Sequence, residues 1–369
     1  MRITLVIPSL SAGGAERVVS ILANCLASKG YMITIVTYMP FDFDNFYDLH
    51  PSIKQINLNF GGPAEDVWDG IWKNVRRNSL LRKAISDSKP DCVISHLNSA
   101  NVRTIIATLA QGVPLIIVEH GYPPSSHMER PWNMLRRCLY PLASMLVAPN
   151  LKAIECFPDR IRRKGVSIPN PVLLEGLDAL NAPKLPGNRN IAAMGRFVPI
   201  KQFDLLLEAF AKISYEPDCF LNLVGDGPLR EELISLASRL GIIQRVRFWG
   251  QIKHPWSLLK NSDMVVVSSE SECLPMVVLE AMTCGLPVVS FDCPVGPREI
   301  IQDAVDGILV PPSDVDALAR AMERLLNDDE ERHRLGLEAA KSAEKYSVER
   351  IMKQWEDLIE RVIECGRHK

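Results

Sequence analysis

The order of elements constrains this chain more than any single motif. "RITLVIPSL" reads as a buried strand and "SAGGAE" as a turn. "RVVSILANCLASKG" then reads as a helix closing on Gly30, and "YMITIVTYM" as the next strand. Apolar strands that alternate with helices form parallel sheets covered on both faces. Further strands are expected at "DCVISH" (91–96), "PLIIVEH" (114–120) and "SMLVAPN" (144–150). Prolines, glycines and asparagines interrupt the pattern over 173–190 and read as a linker. A second series follows: "NIAAMGR", "FLNLVGDG", "RVRFWGQ", "DMVVVSS", "LPVVSFD" and "GILVPP" as strands, with helices such as "FDLLLEAFAKI" and "LREELISLASRLG" between them. Three helical stretches close the chain, the last being "SVERIMKQWEDLIERVIE". The expected architecture is α/β, two facing doubly wound domains over 1–172 and 191–349. Ligands of open parallel sheets bind beyond the carboxyl ends of the strands, so the loops after strands carry most weight.

Composition removes several function classes. With 369 residues, 47% hydrophobic and 23% charged, the chain can bury two large cores. A formal net charge of −2 gives no global argument for nucleic acid. Nine cysteines without a CxxC or a zinc-spaced cluster read as scattered buried thiols of a reducing compartment. No apolar run reaches the roughly 18 residues of a membrane span. "MRITLVIPSL" is too short and wrongly flanked for a signal peptide. The expectation is a cytoplasmic protein whose membrane contact, if any, is peripheral at the inner face of the plasma membrane.

Several strand-end loops could carry chemistry. Gly13 and Gly14 in "SAGGAE" would let an anion approach a helix start, although they are equally a plain tight turn. The stretch is not GxGxxG, so a dinucleotide fingerprint is missing and a dehydrogenase is disfavoured. Arg196 and Lys201 in "GRFVPIK" are either two solvated loop cations or a clamp for a diphosphate. In "SSESECLPMVVLEAMTCG", Pro275 suits a first helical turn and Gly285 a C-terminal cap, placing a helix at about 276–284. Its free N–H groups near Leu274 to Met276 favour a phosphate. Glu280, one turn in, could accept hydrogen bonds from vicinal hydroxyls, and Glu272 could reach groups beyond the phosphates; the plain alternative is one loop and one exposed helix glutamate. His120 in "VEHGYP" would face the ligand side, with Glu119 pointing the other way. "FDFDN" (41–45) has DxD form without a third ligand, so no metal is expected. The amphipathic stretch at 66–85 sets Trp68, Ile71, Trp72 and Val75 against Lys73, Arg76, Arg77 and Lys83. It reads as a core-packing helix with a basic outer face or as a surface for anionic lipid. "ERPWNMLRRCLYP" (129–141), with Arg136 and Arg137, invites the same two readings.

Together these positions resemble the retaining glycosyltransferases of family 4, which have the GT-B fold of two Rossmann-like domains. Glu272-x(7)-Glu280 matches the E-x(7)-E signature, "GRFVPIKQFD" the GR-x(4)-KG-x-D element and "LVGDGPLREEL" the usual glycine turn. "CGLPVVSFDCPVGPREII" and "DGILVPPSD" look like the subset that builds bacterial capsule, O-antigen and lipid-linked oligosaccharide. The resemblance implies transfer of a hexose or N-acetylhexosamine from a nucleotide sugar, most simply a UDP-sugar, to a hydroxyl of a polyprenyl-diphosphate-linked saccharide. It implies Arg196, Lys201 and the N–H groups near Leu274, Pro275 and Met276 at the diphosphate, although Pro275 itself has none. Glu280 would bind the ribose and Glu272 the transferred sugar. Gly14 would approach phosphate and sugar, His120 the developing positive charge, and the backbone near Gln251 and Ile252 the base. The helix 350–369 would pack back on the first domain. With no carboxylate placed as a nucleophile, the implied reaction is a metal- and cofactor-independent front-face displacement in which the leaving diphosphate helps deprotonate the acceptor. Two positions depart from the pattern: Cys273 and Gln202 stand where the family often has glycine. A cysteine at 273 would be strained if that loop needs positive φ. A nucleotide-sugar 2-epimerase and a non-catalytic nucleotide-sugar-binding subunit are the rival readings.

Overall fold

The computed structural model describes residues 1–39, 45–60, 67–125, 130–173, 185, 187–213 and 218–367. The DxD-like Asp42 and Asp44, and 174–184 and 186 of the proline-rich stretch, lie outside the described residues. The chain divides into two compact units, Met1–Pro171 with Glu349–Lys369, and Val172–Val348.

The first unit holds a parallel sheet of β1 (Arg2–Val6), β2 (Met32–Thr37), β3 (Lys54–Asn57), β4 (Cys92–His96), β5 (Leu115–Val118), β6 (Met145–Ala148) and β7 (Gly165–Ser167). Its strand order is β3-β2-β1-β4-β5-β6-β7. The order reverses between β1 and β4, where doubly wound sheets open a crevice at the strand ends. The helices α1 (Gly14–Ser28), α2 (Val67–Ser88), α3 (Asn98–Thr108) and α4 (Arg130–Leu139) include the crossovers. β4 and β5 are buried at every residue, as expected of central parallel strands covered on both faces. The last helix, Val348–Arg367, is held to this unit by an ion pair from Lys29 to Glu356.

The second unit repeats the plan with β8 (Arg189–Met194), β9 (Cys219–Val224), β10 (Val246–Gly250), β11 (Met264–Val267), β12 (Val288–Phe291) and β13 (Gly307–Val310). Its order is β10-β9-β8-β11-β12-β13, so the reversal falls between β8 and β11. Phe197, Phe210, Leu221 and Phe291 anchor its core, each fully buried.

Local chemistry explains most boundaries. The helix after β11 runs Met276–Thr283. Its C-terminal turn carries Leu286 N–H on the Ala281 carbonyl at 3.0 Å and Gly285 N–H on the Met282 carbonyl at 2.9 Å. Gly285 supplies the left-handed φ of 71° that this Schellman arrangement needs. Pro275 is the N-cap, one position earlier than the first-turn expectation. α1 begins at Gly14 rather than after the "GGAE" turn. β3 and β7 escape the apolar-run criterion because they are short edge strands, four and three residues long, and no residue in either is buried.

The expectation of buried thiols is corrected in part. Cys92, Cys219, Cys273 and Cys293 are buried, but Cys138, Cys156 and Cys365 are exposed. All nine are free.

Candidate functional site

In the second unit, the loops after β8 and β11 meet at the reversal point. Glu270 N–H donates to the Ile200 carbonyl at 2.9 Å, and Ser268 Oγ donates to the Lys201 carbonyl at 2.9 Å. These bonds bring Lys201 Nζ to within 2.5 Å of Glu272 Oε1. Ser269 Oγ donates to the same carboxylate oxygen at 2.7 Å. Side-chain exposure of 25% and 11% leaves the pair partly shielded, so its attraction is stronger than that of an ordinary surface pair. Arg196, two residues past the end of β8, is exposed, and its guanidinium has no ion pair or hydrogen bond among the described residues.

The helix Met276–Thr283 starts beside Glu272. The amide N–H groups of Met276 and Val277 belong to its first turn, which has no intrahelical acceptors. Glu280 lies further along and is only 3% exposed. The reading of an exposed helix glutamate is therefore overturned: a carboxyl group buried in an apolar helix must be held by polar partners. Leu274, Pro275 and Met276 are buried, Gln251 is exposed and Ile252 half-buried after β10.

Cys273 has no left-handed backbone, since it is missing from the positive-φ residues of the described chain. Gln202 does have one, at φ 46° and ψ 44°. The glycine that the Glu272 loop depends on is Gly296, at φ 106°. A Cβ there would lie 2.7 Å from Glu272 Cβ and 3.2 Å from its carbonyl carbon. Cys293 Sγ donates to the Ser269 carbonyl at 2.9 Å, tying the same loop from behind. Burial pushes that thiol up to about 12, so it stays protonated.

In the first unit, Gly13 is the N-cap of α1 in extended conformation, and the Glu16 carboxylate folds over it. A carboxylate there already answers the helix dipole. Tyr47 Oη donates to the Gly13 carbonyl at 3.1 Å.

His120 is not alone. Its Nε2 lies 2.9 Å from His96 Nδ1, with ring centroids 5.2 Å apart and 26° between planes. His96 is wholly buried and His120 half-buried. Burial holds the His120 imidazole down to about 4, and burial together with His120 holds His96 well below its ordinary value. Both rings are neutral at pH 7.

Glu119 points to the opposite face, as strand alternation requires, and is 1% exposed. Tyr140 Oη donates to its Oε1. With its amide turned to donate, Asn98 Nδ2 is 2.7 Å from the same oxygen. Burial lifts this carboxyl to about 7 against the opposing pull of Tyr140, Arg136 and Asn101.

Sequence reasoning missed His96, Ser269, Cys293 and Gly296. His96 ends an apolar strand and carries no local signal. Gly296 and Cys293 lie more than twenty positions from Glu272. It also misjudged two surfaces. Arg136 is 9% exposed and lies over the Phe157 ring at 5.5 Å, so it faces inward. On α2, Trp72 is 72% and Val75 56% exposed, which overturns the core-packing reading for those two; the side chains of Trp68 and Ile71 lie outside the described residues.

Comparison with known proteins adds an independent line. Residues 12–175 match the family described as Glycosyltransferase Family 4, and residues 181–342 match Glycosyl transferases group 1. An uncharacterized glycosyltransferase of Methanocaldococcus jannaschii is 30% identical over 349 residues, covering 79% of this chain and 85% of that protein. A Campylobacter jejuni protein is 28% identical over 366 residues, covering 98% of this chain and 99% of its own. Its name is GalNAc-alpha-(1->4)-GalNAc-alpha-(1->3)-diNAcBac-PP-undecaprenol alpha-1,4-N-acetyl-D-galactosaminyltransferase. Among solved structures, a Thermosynechococcus elongatus sucrose-phosphate synthase superposes with a TM-score of 0.83 at 21% identity, covering 99% of each chain. Anabaena HepE in complex with UDP and glucose superposes with a TM-score of 0.80 at 20% identity, covering 98% of this chain and all of the other.

Proposed function

Because the chain belongs to glycosyltransferase family 4 and has the GT-B fold, we propose that it transfers a hexose or N-acetylhexosamine from a UDP-sugar to a hydroxyl of a polyprenyl-diphosphate-linked saccharide, with retention of anomeric configuration. The observation that carries this reading is the Lys201–Glu272 pair at the strand-order reversal, beside the opening turn of the helix Met276–Thr283. A cation, a row of amide donors and a sugar-facing carboxylate are what a nucleoside diphosphate sugar requires. The Campylobacter relative acts on an undecaprenyl-diphosphate-linked saccharide by its name, and the Anabaena structure contains UDP and glucose.

Each residue then has a physical task. Arg196 and Lys201 neutralise the diphosphate, the first as a fork and the second as a point charge. Lys201 begins paired to Glu272, so an arriving phosphate shares a cation that is already in place and needs little reorganisation. The Met276 and Val277 amides, with the region of Leu274 and Pro275, receive the phosphate oxygens. Glu280 accepts the ribose hydroxyls, and Glu272, steadied by Ser269, contacts the transferred sugar. Gln251 and Ile252 flank the base, and Gly13 and Gly14 contribute the first unit's glycine turn. His120 adjoins the sugar as a neutral ring. A neutral imidazole does not repel the oxocarbenium-like charge that an imidazolium would. The leaving diphosphate takes the acceptor proton in a front-face displacement that calls on no metal or cofactor.

The exposed Trp72 and Val75 on α2 and Met134 and Leu142 at α4 and beyond it, with exposed Arg76, Lys83 and Arg137, suit peripheral contact with an anionic membrane. No helix among the described residues is long and apolar enough to cross one. Such a contact would bring the enzyme to a lipid-linked acceptor from the cytoplasmic side.

The test incubates purified protein with UDP-GlcNAc, UDP-GalNAc or UDP-glucose, with and without a polyprenyl-diphosphate saccharide. The expected product appears only with acceptor and carries an α-linkage by NMR. An epimerised donor formed without acceptor, a β-linkage, or tight UDP binding without turnover on any lipid-linked acceptor would overturn the reading.

A further inference from the structure

His96 and His120 meet because of sheet register. β4 and β5 pair His96 with Val118, so His120, two residues on, projects from the same face as His96. The contact joins His96 Nδ1 to His120 Nε2 at 2.9 Å. The other nitrogen of His96, Nε2, is buried without a partner among the described residues. The next residue, Leu97, has φ 75° and ψ 147°, a backbone region that side chains avoid. Leu97 is held there by its N–H on the Val118 carbonyl at 3.2 Å and by its carbonyl on Asn101 N–H at 2.8 Å. The turn that carries His96 is thus fixed from both sides despite its strain.

One proton lies between the two facing nitrogens, and two neutral arrangements can supply it. If His120 Nε2–H donates, His96 keeps its own proton on Nε2 and buries an N–H that has no acceptor. If His96 Nδ1–H donates, the orphan at His96 Nε2 is a lone pair, and His120 keeps its proton on Nδ1. Buried N–H groups without acceptors are rarer than under-satisfied acceptors, so the second arrangement prevails.

We infer that His96 is a positioning residue that fixes His120 as the Nδ1–H tautomer, so that His120 offers the bound sugar a hydrogen-bond donor and not a base. The inference rests on the proposed placement of His120 beside the transferred sugar. The burial that keeps both rings neutral at pH 7 agrees with a single shared proton. With Nε2 occupied by His96 and Nδ1 protonated, His120 has no free lone pair. It can hold a sugar hydroxyl or carbonyl oxygen, and the acceptor's proton must leave by another route.

The experiment labels the full-length chain with 15N-histidine and records long-range 1H–15N spectra. Seven histidines contribute signals, and His120→Asn identifies those of His120. The expected wild-type spectrum shows pyrrole-type Nδ1 and pyridine-type Nε2 for His120. His96→Phe removes the donor and should let His120 populate the other tautomer. His96→Asn, whose amide N–H takes the place of Nδ1–H, should keep the wild-type pattern. In transfer assays, His96→Phe should lower kcat about 10-fold with KM for the UDP-sugar little changed, and His96→Asn should recover most of the rate. A pyridine-type Nδ1 on His120 in the wild type overturns the inference, as does a His96→Phe spectrum with the wild-type pattern. The wild-type spectrum decides the tautomer even if His96→Phe does not fold. Full activity of His120→Ala would instead refute the placement of His120 at the sugar, leaving the tautomer to the spectrum.

Discussion

Replacing Gln202 and Cys273 by glycine, one at a time, should move stability in opposite directions. At both, the family resemblance led to an expectation of glycine, but only Gln202 has left-handed backbone, at φ 46° and ψ 44°. For a residue with a Cβ that conformation costs about 1–2 kcal/mol. Glycine removes the cost and gives back about 0.5–1 kcal/mol through its freer unfolded chain. Gln202 also buries its Oε1 without a partner among the described residues, a group whose desolvation costs about 1–3 kcal/mol. As an N-cap without a side-chain capping bond it gives up nothing there, and glycine is an acceptable N-cap. Gln202→Gly should therefore stabilise the second unit by at least about 1 kcal/mol, which for a unit of this size raises its Tm by at least roughly 2–4 °C. Cys273 is 4% exposed with ordinary backbone. Cys273→Gly loses a small buried side chain, about 1 kcal/mol, and adds unfolded-state entropy, for a net loss of about 1–2 kcal/mol. Urea unfolding followed by circular dichroism, with the second unit's midpoint read at constant m, measures both. A destabilised Gln202→Gly or a stabilised Cys273→Gly would refute the assignment of strain to 202.

Glu119 has its carboxyl lifted from the ordinary 4.5 to about 7. The unfolded chain releases that proton first, so the stability it contributes is full below about pH 4.5 and is lost as pH rises through 7. The loss is about 3 kcal/mol at roughly 1.4 kcal/mol per unit. Glu119→Gln should gain on wild type by about that amount across this window; a pH-independent difference in urea midpoints would contradict it. Glu280→Ala should weaken UDP binding about 10-fold by calorimetry, whereas Glu272→Ala should depress transfer more than UDP affinity; unchanged behaviour in both would sink their roles. Gly296→Ala forces a Cβ against Glu272 at positive φ, so a loss of at least about 2 kcal/mol is expected in the same unfolding assay, and a neutral effect would count against the close approach. The protein should sediment with anionic liposomes at low salt, leave them at high salt, and bind less as Trp72→Ser; equal binding to neutral vesicles would exclude the electrostatic part.

Candidate ligand loops are legible locally because a parallel sheet puts them at strand ends, and strand ends are marked by apolar runs. That logic singles out Arg196, Lys201 and Glu272 as candidates without coordinates, and the structure brings the last two together. It fails for His96, which ends β4 as one more residue of a buried run. Only the register that sets His96 opposite Val118 brings it to His120. It fails also at Cys273, where the resemblance raised a need for positive φ that the backbone does not have, and at Gly296, whose positive φ and close approach to Glu272 no local pattern announced.

The sequence by itself determined the element order, the two doubly wound sheets and the loops that carry charge. These follow from hydrophobic periodicity and turn chemistry, which act between near neighbours. Tertiary structure alone decided that Lys201 pairs with Glu272, that Glu280 is buried, that Glu119 is lifted toward neutrality and that His96 meets His120. Those facts depend on distances between residues far apart in the chain and on the water that packing removes around them.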